Sequence, residues 1–154
     1  MIKVINFQND YSLKELFDLQ RASYLVEAEL INFFEIPPLK ESLQDLKESG
    51  ETFIGYFENS ELTGAISYTI QEQVVTICRM VVHPNHFRKG IAQKLLTYVE
   101  KNHSDLPIFN VSTGKENTPA KNLYLKNGFQ VTGDIEVVPG LFISHFEKRK
   151  EEMQ

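Results

Sequence analysis

Apolar and polar residues alternate in seven short runs along the chain, and this period of two predicts β-strands. The runs are rich in β-branched and aromatic residues and are bounded by turn-forming residues. In chain order they are MIKVINF (1–7), ETFIGYF (51–57), LTGAISYTI (62–70), VVTICRMVV (74–82), PIFNVST (107–113), FQVTGDIEVV (129–138) and LFISHFEK (141–148). The last two predict a closing hairpin through Pro139-Gly140.

Four other stretches have the apolar spacing of helices. The first begins after Ser12, which with Glu15 suggests a capping box. The others are predicted at 39–47 after Pro37 and Pro38, at 88–102, and at 118–127 with Gly128 as a stop. The predicted order βααβββαβαββ indicates an α/β (mixed α+β) fold, with helices on both faces of one mixed sheet.

Composition narrows the function classes. A chain of 154 residues that is 42% hydrophobic fits one globular domain, taken here as 1–154. The net charge of −5 argues against general nucleic-acid binding. No apolar run approaches the roughly 20 residues of a membrane span, and the N-terminus lacks a signal-peptide core. With a single cysteine, Cys78, the expected location is the cytoplasm. Four scattered histidines have no metal-ligand spacing, so no metal is expected.

The segment HPNHFRKGIAQKLL (83–96) joins a predicted strand to a predicted helix, and it is a candidate anion site. The first backbone N–H groups of a helix lack intrahelical partners and lie at its positive end. Arg88 and Lys89 add positive charge there, where cations are unfavourable without an anion nearby. Gly90 and Ala92 would let a diphosphate approach the backbone. A solvated basic loop with a turn glycine explains the segment equally well.

A second segment, ENTPAKNLYLKNGF (116–129), favours the anion site. Asn117 or Thr118 can cap a helix whose first turn contains Pro119. Ala120, Leu123 and Tyr124 share one face of this helix, which by residue type is typical of core.

Together the two segments resemble the GNAT superfamily of acetyl-CoA-dependent N-acetyltransferases, and the resemblance spans nearly the whole chain. The family pattern Gln/Arg-x-x-Gly-x-Gly/Ala falls on FRKGIA (87–92), where Gly90 and Ala92 match. Phe87 stands where the family has a polar residue, so the loop would bind the diphosphate through its main-chain amides. The resemblance implies a mostly antiparallel sheet of about seven strands with about four helices, and acetyl-CoA as co-substrate.

The resemblance also implies a set of site residues. The strand backbone at Met80, Val81 and Val82 would pair with the pantetheine arm, and an N–H of Val81 or Val82 would polarise the thioester carbonyl. Tyr124 matches the tyrosine that protonates the departing sulfur. The remaining coenzyme contacts would be Arg88, Lys89, Gly90, Ile91, Ala92, Gln93, Asn117 and Ala120.

The resemblance assigns no general base, because Cys78 stands where many family members have a strand glutamate. We interpret Cys78 as a small buried residue and not as a nucleophile. Glu27 and Glu29 are candidate bases, since their region faces the acceptor in the family, although a solvated helix face explains them as well. Glu136 and His145 are weaker candidates. His83 and His86 are interpreted as structural or surface residues.

The acceptor itself is not readable, beyond a primary amine on a small molecule or peptide. We expect Tyr24, Glu27 and Phe33 to contact it. The alternative is a non-catalytic acyl-CoA-binding or sensing module of the same fold. The apolar segment INFFEIPPL (31–39) supports a third class, an interaction domain or homodimer, in which Phe33, Phe34 and Ile36 would form a contact or a lid. Their apolar type favours core.

Overall fold

A computed structural model of the chain describes residues 1–7 and 9–150. The strands are β1 (Ile2–Val4), β2 (Thr52–Glu58), β3 (Glu61–Gln71), β4 (Val74–Val82), β5 (Ile108–Gly114), β6 (Gln130–Val138) and β7 (Leu141–Arg149). The helices are α1 (Asp10–Ile31), α2 (Leu43–Lys47), α3 (Ile91–Asn102) and α4 (Thr118–Lys126). Two short 3-10 turns occupy Pro37–Lys40 and Pro84–His86.

The strands form one sheet in the order β1-β2-β3-β4-β5-β7-β6. β4 and β5 run parallel, and the other neighbouring pairs are antiparallel. The predicted mixed, mostly antiparallel sheet is therefore confirmed, together with the predicted order of strands and α-helices.

The two faces of the sheet carry separate cores, as strand alternation requires. Phe53 packs with α1 and α2 on one face, and its neighbour Ile54 packs with α3 and α4 on the other. Gly64 of β3 lets α3 approach closely, because a Cβ there would lie 2.6 Å from Cγ2 of Ile91. The start of α3 is thereby held against the middle of the sheet.

The predicted start of α1 is wrong. Asn9 is the N-cap, since its side chain accepts a hydrogen bond from the N–H of Tyr11, and Ser12 lies inside the helix. Glu15 instead accepts a hydrogen bond from the N–H of Leu62 at 3.0 Å. The helix continues to Ile31 and ends at Asn32, which has a left-handed φ of 54° that asparagine tolerates.

Two other predicted starts are also displaced. α2 begins at Leu43, because Ser42 and Asp45 form a capping box, and the two prolines before it favour a 3-10 turn. α3 begins at Ile91 and not near Arg88, because Gly90 adopts φ 78° and acts as the N-cap. α4 follows the prediction, with Asn117 as N-cap and Gly128 at φ 91° just beyond its end.

Candidate active site

A wedge opens in the middle of the sheet between the two parallel strands. Only residues Val74–Ile77 of β4 pair with β5, and their partners are Ile108–Val111. Beyond these residues β4 continues to pair with β3, and β5 continues to pair with β7. The two strands diverge, and their facing backbone edges line a large cavity.

A β-bulge at Cys78 marks the point of divergence. Ser67 of β3 pairs with Arg79, whereas the next residue, Tyr68, pairs with Ile77, so Cys78 is the extra residue on β4. Its side chain is exposed towards the cavity, and the prediction that it is buried is wrong. Desolvation and the nearby charge of Glu51 raise the pKa of the thiol, which keeps it neutral. A nucleophilic role is correspondingly disfavoured.

The register of β4 decides which amides face the wedge. The N–H of His83 donates to the Thr63 carbonyl at 2.9 Å, so by alternation the amide of Val81 also points towards β3. The amides of Met80 and Val82 point away from β3. Val81 is buried in the core and does not line the cavity, contrary to its predicted place in the coenzyme site.

Ser23 of α1 is a polar neighbour of this edge that the sequence did not reveal. Its hydroxyl accepts a hydrogen bond from the N–H of Val82 at 3.3 Å, and its side chain lines the cavity. The predicted carbonyl-polarising amide therefore has a side-chain partner, and Met80 offers an amide of the same orientation on the same edge.

The N-terminus of α3 forms one end of the cavity. Gly90 makes no side-chain cap, and the first intrahelical bond runs from the N–H of Lys94 to the Gly90 carbonyl. The N–H groups of Ile91, Ala92 and Gln93 precede that bond and are available to an anion. Arg88, two residues before Gly90, has φ 66°, a conformation that is unfavourable for a non-glycine residue.

Two positively charged side chains line this end of the cavity. Of the two predicted basic residues, Arg88 lines the cavity and Lys89 does not. Its ammonium lies 3.8 Å from Glu58 and 3.0 Å from Nδ1 of His86. Lys126, at the end of α4, lines the cavity instead. Phe87 also lines it with an exposed ring, which places apolar surface where the family pattern has a polar side chain.

The cavity has a volume of about 1010 Å³ and extends from α3 to α1 and α4. The predicted coenzyme residues Gln93 and Ala120 line it, and the side chain of Gln93 exchanges two hydrogen bonds with Asn127 (2.8 and 2.9 Å). This amide pair links the start of α3 to the end of α4.

Three polar side chains meet at the inner end of the cavity: Glu27 of α1, Asn117 and Tyr124. Asn117 caps α4 by accepting a hydrogen bond from the N–H of Ala120 at 3.3 Å, and it also hydrogen-bonds to Glu27. The Glu27 carboxylate lies over Gly114, where a Cβ would be 3.9 Å from its Oε1. Burial raises the pKa of Glu27, and the Asn117 hydrogen bond opposes this in part.

Tyr124 is buried between aromatic rings with its polar end towards the cavity. Its ring lies 5.7 Å from that of Phe129 and 5.8 Å from that of Phe146. Burial, together with the charge of Glu27, raises the pKa of the hydroxyl. Tyr124 is therefore protonated throughout the neutral range and can serve as a proton donor.

Other predicted residues lie elsewhere. Phe33 packs against the core on the α1 face and reaches within 4.0 Å of a Cβ position at Gly140, away from the cavity lining. Glu29 is solvent-exposed, and Glu136 accepts a hydrogen bond from the N–H of Gly140 in the hairpin turn. His145 lies 2.6 Å from the hydroxyl of Ser112 across the sheet. Of the apolar 31–39 segment, Ile36 is buried, whereas Phe34 is 54% exposed.

The sequence of the chain matches a known protein family over most of its length. A model of the Acetyltransferase (GNAT) family matches residues 13–129. The chain belongs to the GNAT acetyltransferase family. It is also 39% identical to UPF0157 protein YqkA of Bacillus subtilis (strain 168), over 99% of this chain and 46% of that protein. The chain thus spans about half the length of this curated relative.

Several solved structures have the same GNAT fold as the chain, although their sequence identity to it is low. PaiA N-acetyltransferase from Thermoplasma acidophilum, in complex with coenzyme A, has a TM-score of 0.75 and 21% identity, covering 97% of this chain and 99% of that one. Ribosomal-protein-S18-alanine N-acetyltransferase from Escherichia coli has a TM-score of 0.79 and 12% identity, covering 100% and 96%. YncA from Salmonella typhimurium, with acetyl-CoA, has a TM-score of 0.72 and 17% identity, covering 100% and 95%.

Within residues 1–7 and 9–150, no group of three or more His, Cys, Asp or Glu side chains is arranged to hold a metal ion. No helix in this part of the chain has both the length and the apolar character needed to cross a membrane.

Proposed function

We propose that this chain is an acetyl-CoA-dependent N-acetyltransferase that acts on a primary amine by direct attack in a ternary complex. One observation carries the proposal: a single cavity joins the open N-terminus of α3 to the half-buried Glu27 and the buried Tyr124. Membership of the GNAT family supports it, as do the folds of two relatives solved with coenzyme A or acetyl-CoA.

The residues at the outer end suit the coenzyme. The amides of Ile91, Ala92 and Gln93 would bind the diphosphate, and Arg88 and Lys126 would balance its charge. The backbone edge of β4 at Met80 and Val82 would pair with the pantetheine arm as an added strand does. Acetyl-CoA then supplies a thioester at the bulge, next to Glu27 and Tyr124.

At the inner end, the raised pKa of Glu27 makes its carboxylate a stronger base than an exposed glutamate. Glu27 accepts a proton from the acceptor amine, which attacks the thioester carbon once it is neutral. An N–H of the β4 edge, at Met80 or Val82, stabilises the developing oxyanion. As the carbon–sulfur bond breaks, Tyr124 donates its proton to the departing sulfur. The products are an amide and the free thiol.

The test is a panel of primary amines assayed with acetyl-CoA, following thiol release, on wild type and the variant Tyr124→Phe. We expect kcat to fall by about 10- to 1000-fold in the variant, as for loss of a general acid, with little change in acetyl-CoA affinity by calorimetry. Tyr98→Phe is the matched control, because Tyr98 lies on α3 and does not line the cavity.

Three outcomes separate the possibilities. Absence of acetyl-CoA binding would overturn the proposal. Tight binding without turnover on any amine would favour a non-catalytic acyl-CoA-binding module. Equal turnover by wild type and Tyr124→Phe would remove Tyr124 from the mechanism and leave acetyl transfer intact.

A further inference from the structure

A second recess of about 250 Å³ adjoins the inner end of the cavity. Tyr24, Pro37, Pro38, Cys78 and Arg79 line both spaces, so the recess opens onto the position where Glu27 meets the acceptor. Its remaining walls are the carboxylates of Glu41 and Glu51.

The guanidinium of Arg79 is fully occupied within the walls of this recess. Nε donates to Glu51 at 2.8 Å, Nη1 to Gln20 and Glu41 at 3.0 and 2.5 Å, and Nη2 to Glu41 and Glu51 at 2.8 and 3.0 Å. A guanidinium has five N–H groups, and these five bonds use all of them. Arg79 therefore has no donor left for an anion or a carbonyl group in the recess.

The carboxylates keep spare acceptor capacity. Oε1 of Glu41 accepts from Gln20 and Arg79, and Oε1 of Glu51 accepts from Ser67 and Arg79. The Oε2 atom of each glutamate accepts one hydrogen bond, from Arg79. Two carboxylates against one guanidinium leave a net charge of −1 at a site where these side chains are only 11–16% exposed.

Tyr24 offers a further polar atom to the recess. The residue is 8% exposed and lines both spaces, and its hydroxyl makes no hydrogen bond with another described residue. Every fully buried side-chain nitrogen or oxygen among the described residues has a hydrogen-bond partner, so this hydroxyl reaches the open space instead. The pKa of Tyr24 is raised by burial, lowered by Arg79, and raised further by Glu27, Glu51 and Glu41, so its hydroxyl lies among the charges of both spaces.

We propose that this recess holds a second ammonium group of the acceptor, so that the preferred substrate is an aliphatic diamine. The ammonium would donate to the hydroxyl of Tyr24 and to Oε2 of Glu41 and Glu51, which together offer acceptors and net negative charge. The two amines of the substrate would be divided between the recess and Glu27. This inference rests on the proposed acetyltransferase function.

The experiment compares kcat/KM for 1,3-diaminopropane, 1,4-diaminobutane and 1,5-diaminopentane with that for butylamine and 4-aminobutanoate. Butylamine lacks the second ammonium, and 4-aminobutanoate replaces it with a carboxylate. We expect at least one diamine to exceed butylamine by about tenfold or more, as expected for one charge-assisted hydrogen bond. This increase in kcat/KM is larger than a diamine would show merely because either of its two amines can react. The carboxylate should be the poorest substrate.

The variant Tyr24→Phe tests the recess without breaking an internal hydrogen bond, and Tyr11→Phe, on the exposed side of the same helix, is its control. Tyr24→Phe should lower the ratio of diamine to butylamine kcat/KM severalfold, whereas Tyr11→Phe should leave it unchanged. If the diamine to butylamine ratio falls while kcat/KM for butylamine is retained, the recess recognises the second ammonium. A general structural defect would lower kcat/KM for both substrates.

The possible failures are distinguishable. If butylamine and every diamine have equal kcat/KM, or if 4-aminobutanoate is preferred, the second-ammonium proposal is wrong and the acetyltransferase function stands. If Tyr24→Phe reduces all substrates equally, the recess does not recognise the second charge. If no amine is acetylated although acetyl-CoA binds, the proposed function itself fails.

Discussion

At the residue scale, burial raises the pKa of both proton-transferring side chains. A raised pKa makes the Glu27 carboxylate a better base, and it keeps the Tyr124 hydroxyl protonated while making it a weaker acid than an exposed tyrosine. Tyr124 could be selected from the sequence because it lies within a recognisable motif. Glu27 could only be one of several candidates, because its value as a base depends on burial under residues distant in sequence.

Replacing Glu27 by Gln should reduce kcat by about 10²–10⁴-fold, the range for loss of a general base. The wild-type rate should fall as the pH drops through the raised pKa of Glu27, because the base must be ionised. Thiol-release assays across pH test both effects. Glu29→Gln is the control, since Glu29 is exposed on the same helix. Equal losses in the two variants would contradict the assignment.

The variant Glu27→Gln should also be more stable than wild type at neutral pH. A carboxyl whose folded-state pKa is raised above the ordinary 4.5 stabilises the fold only while protonated. Its contribution is therefore lost as the pH rises through 4.5 and the raised value. We expect Glu27→Gln to raise Tm at pH 7, because a neutral amide at this position avoids the desolvation cost of the carboxylate. The gain should vanish near pH 4.

At the element scale, two features build the site. One is the position at which β4 stops pairing with β5, and the other is the residue at which α3 begins. The composition of VVTICRMVV predicts a strand, but it does not predict the bulge at Cys78 or the loss of pairing with β5. Both depend on the register that β3 and β7 impose. The start of α3 was predicted three residues early, because Gly90 is the N-cap and not a residue of the first turn.

Gly64→Ala tests how strongly the position of α3 depends on β3. The added methyl would meet Cγ2 of Ile91 at 2.6 Å, and a branched side chain at a helix start has little freedom to move. We expect a loss of stability of about 1–3 kcal/mol in chemical denaturation. Calorimetry should show weaker acetyl-CoA binding, because the amides after Gly90 shift.

Gly133→Ala is the control for this change, since a Cβ at Gly133 meets no atom within 4 Å. It should alter stability by less than about 0.5 kcal/mol. Unchanged stability and binding in Gly64→Ala would show that α3 can retreat from the sheet without disturbing the amides at its start.

At the scale of the whole molecule, the cavity has charge of opposite sign at its two ends. Arg88 and Lys126 lie at the outer end, whereas Glu27, Glu41 and Glu51 lie around the inner end and its recess. The net charge of −5 for the chain says nothing about this separation. The arrangement suits an anionic coenzyme at one end and a cationic acceptor at the other.

Arg79 also joins distant parts of the chain, because its partners come from α1 and from the 41–51 segment. Arg79→Met should cost up to about 3–5 kcal/mol of unfolding free energy, since Glu41 and Glu51, which are only 13–16% exposed, would lose their cation. Denaturant titration measures this loss. The deficit should shrink as the pH falls below the ordinary value of 4.5, because Arg79 holds the pKa of Glu41 low against the opposing effect of burial.

Lys14→Met gives the contrasting case of an exposed ion pair. Lys14 lies 2.8 Å from Asp18, but both side chains are 59% exposed, so the expected cost is at most about 1 kcal/mol. Similar losses in Arg79→Met and Lys14→Met would show that the Arg79 cluster contributes no more than a surface pair.

The sequence by itself determined the features that depend on near neighbours: the alternation of the strands, the presence and order of the helices, and the helix stop at Gly128. These are set by forces within a few residues. Tertiary structure alone decided that Lys126 and not Lys89 lines the cavity, that Glu27 is half-buried near Tyr124, and which residues surround Arg79. Gln20 lies 59 positions from Arg79 along the chain. Such partners are chosen by the packing of α1 on the sheet, which no local pattern encodes.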